Sequence, residues 1–381
     1  MHPDLSNPTT VLVAPGAFKS SLSAPEAADA IAAGVRDGLP DAAIVNCPIA
    51  DGGDGTAEVL ALHEDGELID VEVAWEQGSF GSRFAWLPTD IAVVDMASAG
   101  GLGQEGFPQP GPLDASSWAV GNLIAHALDR RPRRLIIGAG GTAFSDGGAG
   151  LLSRFGVSLL DAQGRQIPPG ARGLASLDRA DTTFMNDSVF ETEIVVACDV
   201  SNPLLGDNGT ARVFAPQKGA SDQDVEQIAA GLERLAEVVL RDTGKWIGEA
   251  PGGGSAGGSA CTLWAFLAAE LRNGFELIAD IIGFDMLLTQ CDLLIVGEGT
   301  LDAQSLLGKA PVAAARKAKQ LGVPVWAFAG KVGLDQLQLA EVGIVIEADL
   351  SELTGAMSIE HPAEALTSVS SSMLKKAFGK P

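Results

Sequence analysis

Three of the chain's ten lysines, Lys19, Lys218 and Lys309, lie in loop motifs marked by Gly, Pro or Ser, in a protein of net charge −24. An acidic protein that binds a polyanion must concentrate its few cations at the site. Five glycine-marked stretches follow predicted strands or lie between elements: Ala14–Ser23, Ala50–Thr56, Gly138–Gly150, Ala197–Gly206 and Gly297–Pro311. All but the first carry aspartate. Glycines after strands let backbone N–H groups approach phosphate, and a following helix N-terminus adds a favourable dipole. Loop carboxylates that become buried are costly unless they meet a metal or a nest of N–H groups. Phosphoryl transfer needs both features. Gly-rich loops hold nucleotide phosphates, carboxylates hold Mg²⁺ or take the acceptor's proton, and lysine neutralises the transferred group. No G-x-x-x-x-G-K-[ST] occurs, so the chemistry would not be that of a P-loop. Each residue also has a plainer reading, as a surface lysine or as an Asp or Asn that caps a helix or closes a turn.

The elements that position these loops alternate. Thr10–Ala14 is a short β-branched strand stopped by Pro15 and Gly16. Ser23 and Glu26 form a capping box, with Pro25 in the first turn, and open a helix to about Leu39. Ala43–Ile49 is the next strand. The C-terminal third repeats the pattern with strands Leu293–Val296, Val323–Ala329 and Ile344–Ile346 and helices Lys309–Leu321 and Pro362–Phe378. Such alternation predicts parallel sheet. The middle differs. Glu67–Met96 holds several strand-like runs, followed by helices Trp118–Leu128 and Asp222–Thr243. The fold class is therefore α/β with two α/β domains. Residues 9–65 and 285–381 form a discontinuous, parallel-sheet, Rossmann-like or flavodoxin-like domain, and 66–284 an inserted mixed α/β domain. The Gly-rich Pro251–Gly258 reads as a linker or binding loop, mobile without ligand, and Met1–Thr10 as a disordered lead-in.

Composition narrows the partners. A charge of −24 argues against nucleic acid and against an anionic membrane surface. No stretch of 18 residues is free of polar interruption, and the start lacks a basic, apolar secretory signal. Four scattered cysteines and four scattered histidines show no metal-ligand spacing. Reduced thiols fit a cytoplasmic protein. The expected partner is a small molecule; monomer and homodimer both remain open.

The loop motifs resemble those of the glycerate kinase family. Its ADGGEGT corresponds to Ala50–Thr56, its GIGGSATNDGGAG to Gly138–Gly150, its ACDVxNPLxG to Ala197–Gly206, its PQKGA to Pro216–Ala220 and its GEGRLDxQTLxGKxP to Gly297–Pro311. The motifs occur in family order from residue 14 to 311. The resemblance implies ATP and Mg²⁺ as cosubstrates, D-glycerate as acceptor and a phosphoglycerate, preferably 2-phosphoglycerate, as product. Lys19, Asp51, Asp54, Asp146, Asp199, Asn202, Lys218, Glu298, Asp302 and Lys309 match family motif positions; from residue chemistry, Lys19, Asp199, Asp302 and Lys309 are the catalytic candidates, with Asp199 and Asp302 also the metal candidates. Ser20, Ser21, Asp51, Gly52, Gly53, Asp54, Asn202, Lys218 and Glu298 are candidates for substrate binding. Gly140, Gly141, Thr142, Asp146, Gly147 and Gly148 are candidates for the nucleotide.

The chain departs from the family at several loops. Where the pattern reads APDSFKGS, this sequence has Gly16 in place of the acid; where it has Arg, this sequence has Thr300. Phe144-Ser145 replaces Thr-Asn, and Ser116–Val120 lacks the usual Thr-Tyr-Gly. These changes bear on the acceptor, leaving open a related small hydroxy acid, or a non-catalytic relative that binds nucleotide or acid. A nicotinamide-dependent oxidoreductase rests on Gly138-x-Gly140-x-x-Ala143 and Asp161 as a dinucleotide fingerprint. Against it, Gly147-Gly148 falls where the phosphate-binding helix should be running, at a cost of roughly 2 kcal/mol.

Overall fold

The computed structural model describes residues 8–75, 78–102, 110–185 and 187–378. The expected lead-in, up to Asn7, lies outside them. The chain divides into two compact units, Met1–Ala50 with Ile278–Pro381, and Asp51–Leu277. In chain order the strands are β1 (Thr10–Val13), β2 (Ala43–Asn46), β3 (Glu67–Trp75), β4 (Gly78–Leu87), β5 (Ile91–Asp95), β6 (Arg134–Gly138), β7 (Ser158–Leu160), β8 (Arg179–Asp181), β9 (Glu193–Cys198), β10 (Glu270–Asn273), β11 (Leu293–Leu301), β12 (Val325–Val332) and β13 (Ile344–Asp349).

The first unit holds one parallel sheet in the order β13-β12-β11-β1-β2. Numbered within the unit this is 2-1-3-4-5, the flavodoxin-like order, whose reversal point lies between β1 and β11. Val11 pairs with Leu293 and with Ile44, so β1 lies inside the sheet and is buried on both faces. That burial explains its uninterrupted apolar run. The helix after β1, Ala24–Gly38, starts as its sequence dictates. Ser23 N–H donates to Glu26 Oε2 at 2.8 Å and Glu26 N–H to Ser23 Oγ at 3.4 Å. Its face of Ala27, Ile31 and Val35 packs with Phe328, Leu366 and Leu374.

One strand is longer than its sequence suggests. β11 runs through Gly297–Leu301, which reads as loop, and pairs Glu298 with Ala329 and Thr300 with Lys331. The glycine serves packing here: a Cβ on Gly297 would stand 2.7 Å from the Phe328 carbonyl oxygen and 3.1 Å from the Phe18 ring.

The second unit holds a mixed sheet in the order β10-β9-β6-β5-β4-β3, and a small β7–β8 pair. β3, β4 and β5 are antiparallel neighbours; β5, β6, β9 and β10 run parallel. Helices Trp118–Asp129 and Asp222–Thr243 bury their apolar faces in this unit's core. Of Pro251–Gly258, the segment Gly252–Gly258 packs inside this unit rather than standing out as a linker. Its residues are all buried, and a Cβ on Gly254 would collide with the Pro203 carbonyl and one on Gly257 with that of Phe144. Here glycine supplies close approach between backbones, a use that looks identical to flexibility in sequence.

Candidate active site

In the second unit three strand ends carry the motifs. β5 ends at Asp95, β6 at Gly138 and β9 at Cys198, just before Asp199. The turn Asp51–Gly53 lies across them. Gly140 N–H donates to the Gly52 carbonyl at 3.0 Å, and a Cβ on Gly52 would run into the carbonyl of Ala197. A Cβ on Gly140 would stand 2.7 Å from Gly53 Cα and 2.8 Å from Asp199 Oδ2. Asp51, Gly52, Gly53, Gly140 and Asp199 therefore form one patch, with the half-buried Asp199 carboxylate over a glycine floor. Asp54 is exposed beside Gly141. Thr142 is buried and bridges to Gly101.

Lys218 reaches the same group of loops. Its Nζ donates to the Phe144 carbonyl at 2.5 Å and Ser145 Oγ at 3.4 Å. Burial pushes its pKa down to about 8, against the opposing charges of Asp146 and Asp199. Most of its charge is thus retained close to physiological pH.

Other motif residues turn inward. Asp146 is fully buried, and its carboxylate accepts Ser117 N–H and Oγ–H, each at 2.9 Å, Gly148 N–H at 3.0 Å and Gly150 N–H at 3.2 Å. Burial raises its pKa and these donors oppose the rise. Gly147 and Gly148 pack against Leu235 and Ser259 in the interior. Asn202 Nδ2 donates to the Asn208 carbonyl at 2.8 Å, closing its own loop. Two contributors have no motif signal strong enough to single them out. Ser117 is one. The other is Asp95, whose only mark in sequence is a charged residue ending the apolar run Ile91–Val94.

In the first unit, the segment after β1 packs along β11. Gly16 N–H donates to the Gly297 carbonyl at 2.9 Å, and a Cβ on Gly299 would stand 3.3 Å from Lys19 N. Lys19, Ser20 and Ser21 form an exposed tip closed by mutual backbone bonds of Phe18 and Leu22 at 2.9 and 3.0 Å. Lys309 is the N-cap residue of helix Ala310–Leu321, and its Nζ lies 3.6 Å from the buried Glu298 Oε2. Asp302 Oδ1 accepts Gln304 N–H at 2.8 Å and Ser305 N–H at 3.3 Å, so part of this carboxylate is spent on its own turn. Asp199 and Asp302 belong to different units. Among the described residues no three His, Cys, Asp or Glu side chains converge as a metal cage.

Residues 11–377 match the model of the glycerate kinase family. The chain belongs to the glycerate kinase family. It is 38% identical over 359 residues to the glycerate 2-kinase of Escherichia coli K12, covering 92% of each chain. It is 36% identical over 356 residues to a glycerate kinase of Bacillus subtilis, covering 93% of each. The crystal structure attributed to glycerate kinase 2 of Salmonella typhimurium LT2 superposes with a TM-score of 0.80 at 35% identity, covering 97% of this chain and 98% of that one. Against the glycerate kinase motifs, two departures acquire a location. Phe144-Ser145 is the contact of Lys218, and Thr300 stands in register beside Lys331 of β12.

Proposed function

We propose that the protein transfers the γ-phosphoryl group of ATP to D-glycerate, at the 2-hydroxyl, giving 2-phosphoglycerate. The observation that carries this reading is the patch at the ends of β5, β6 and β9, where a half-buried carboxylate, a backbone floor of glycines and a lysine of lowered pKa gather among family motifs. On this reading Asp199, half-buried over the glycine floor, takes the acceptor hydroxyl's proton. Lys218 offers its ammonium to the charge that develops on the transferred group. The glycine floor at Gly52, Gly53, Gly140 and Gly141 lets phosphate oxygens approach the backbone. Asp146, with Gly147 and Gly148, acts behind that floor by fixing the loop. In the first unit Lys19, Ser20, Ser21 and Lys309 offer donors to a phosphate, with Glu298 orienting Lys309 and Asp302 shaping the following turn.

Mg²⁺, when bound, supplies neutralisation of phosphate charge, and Asp199 fits it because this ion commonly takes one or two carboxylates and completes its shell with phosphates and water. Asp302 is the weaker of the two candidates, since its Oδ1 serves the turn. Thr300, neutral and exposed where the family carries Arg, supports a second reading in which a related small hydroxy acid is the better acceptor. The four cysteines are buried outside any disulfide, which fits a cytoplasmic location.

The test is an ADP-coupled assay with a panel of small hydroxy acids, followed by ³¹P NMR of the product. D-glycerate should turn over, and the phosphorus should couple to the single proton on C2. Coupling to a methylene would assign the 3-hydroxyl, and turnover confined to another acid would establish the second reading. ATP consumption with no acid in the panel would overturn the function.

A further inference from the structure

The helix Thr56–His63 begins without a local cap. Gly55, its N-cap residue, has φ 89° and no side chain to accept the first N–H groups. Those donors are orphans unless another part of the chain meets them. Asp95, from the end of β5 and 5% exposed, does so. Gly55 N–H reaches its Oδ2 at 3.0 Å, and Ala57 N–H lies 3.1 Å from both oxygens. The anchored helix start in turn fixes the preceding turn. Thr56 Oγ donates to the Gly53 carbonyl at 2.8 Å, Gly53 N–H donates to Asp51 Oδ1 at 3.1 Å, and the Gly52 carbonyl accepts from Gly140.

We propose that Asp95 is a positioning residue for phosphoryl transfer, clamping the turn Asp51–Asp54 against Gly140 beside Asp199 without itself touching substrate. The inference rests on the function proposed above. The ionised carboxylate can accept every one of these bonds, whereas a protonated one turns an acceptor into a donor aimed at N–H groups. The charged groups facing Asp95 are Asp54 and Glu58; Gly138, on the adjoining strand, brings none. Burial first, then those two carboxylates, push its pKa up to about 7, with the Ala57 and Gly55 N–H groups opposing. The clamp therefore tightens as pH rises through neutrality.

The experiment compares wild type with Asp95→Asn in pH profiles of kcat/KM, alongside thermal denaturation. Displacing the turn by an ångström predicts a loss of roughly 10–100-fold. The wild-type profile should show an acidic limb near pH 7 that the variant lacks, while its melting temperature near pH 4 to 5, where Asp95 is still protonated in the fold, stays close to wild type. A folded variant with unchanged kcat/KM and the same limb would overturn the proposal. Should the variant not fold, amide exchange on wild type decides. Protection at Gly55 and Ala57, corrected for intrinsic rates, should fall as pH drops below 7, and pH-independent protection overturns the clamp. A wild type inactive on every hydroxy acid would instead sink the kinase reading, with the exchange measurement still judging the clamp.

Discussion

The two units hold their motif loops by different means. In the first, the loop tips are self-contained: Lys19–Ser21 sits on a turn closed by Phe18 and Leu22, and Asp302 caps its own turn. In the second, the loops are clasped to one another from within, by Asp95 across 38 residues, by Asp146 to Ser117, and by buried backbone at Gly257. Self-contained turns leave charged side chains in water, with little desolvation to overcome. Interlocked loops gain precision, but buried carboxylates must be met by several N–H or O–H groups to stay tolerable. Asp95 and Asp146 both have raised pKa values because burial outweighs even that many donors.

The sharpest way to break this comparison is to neutralise one aspartate in each unit. Asp199→Asn should lower turnover by roughly 10²–10³-fold, because charge stabilisation dominates phosphoryl transfer, with little change in melting temperature. Asp302→Asn should cost distinctly less. Steady-state kinetics on both variants checks this, and equal losses would remove the distinction drawn between the two carboxylates.

A second test uses glycines. Gly257 has φ 63° and a Cβ there meets the Phe144 carbonyl, whereas Gly308 has φ 120° with nothing near. Gly257→Ala should therefore destabilise by about 2–4 kcal/mol, strain plus overpacking, and Gly308→Ala by about 1–2 kcal/mol, strain alone. Urea denaturation gives both values. Equal losses would mean that the interlocked segment can relax, contrary to its burial.

Much of the architecture is legible in the residues and part of the interlocking is not, for a physical reason. Local signals survive: the Ser23–Glu26 capping box, the β-branched run of β1, and the strand–helix alternation that implies a parallel sheet all appear where the chain puts them. Signals that depend on a distant partner do not. Pro251–Gly258 reads as mobile because glycine in sequence speaks only of backbone freedom, while the close approach it permits depends on Pro203 and Phe144. Gly297–Leu301 reads as loop, since its pairing with β12 is invisible locally. Asp95 escapes notice because a lone aspartate at a strand end is common turn chemistry, and its two N–H partners lie 38 and 40 residues away.

Asp95 also gives the interlocked unit a pH dependence opposite in sign to that of Asp292 and Asp349 in the first unit, whose pKa values are lowered. Its folded pKa of about 7 lies above the ordinary 3.8. Below the unfolded value both states hold the proton and burial is harmless. Between about pH 4 and 7 the unfolded chain releases this proton while the native state, where burial opposes ionisation, still holds it, so stability is lost across that window. Three pKa units correspond to on the order of 4 kcal/mol. Asp95→Asn should flatten this slope in urea midpoints measured across that range. The ionised form that destabilises the fold is the one that clamps the turn, so stability and activity should move in opposite directions with pH.

The smallest effect is expected in the first unit, at Ser20. It has φ 64°, in the left-handed region, where the family pattern carries Gly. A non-glycine residue there costs roughly 1–2 kcal/mol. Replacement by glycine relieves that strain but increases the entropy of the unfolded chain by about 0.5–1 kcal/mol. Ser20→Gly should therefore stabilise by roughly 0.5 kcal/mol, read as a higher urea midpoint with an unchanged slope. The bonds that close the turn belong to Phe18, Ser21 and Leu22, so none is lost with the side chain. If the hydroxyl of Ser20 also contacts a phosphate, the same variant will raise KM for ATP while gaining stability, which a purely conformational role would not do. A lower midpoint would show that the exposed turn, like the buried loops of the other unit, depends on a side-chain contact.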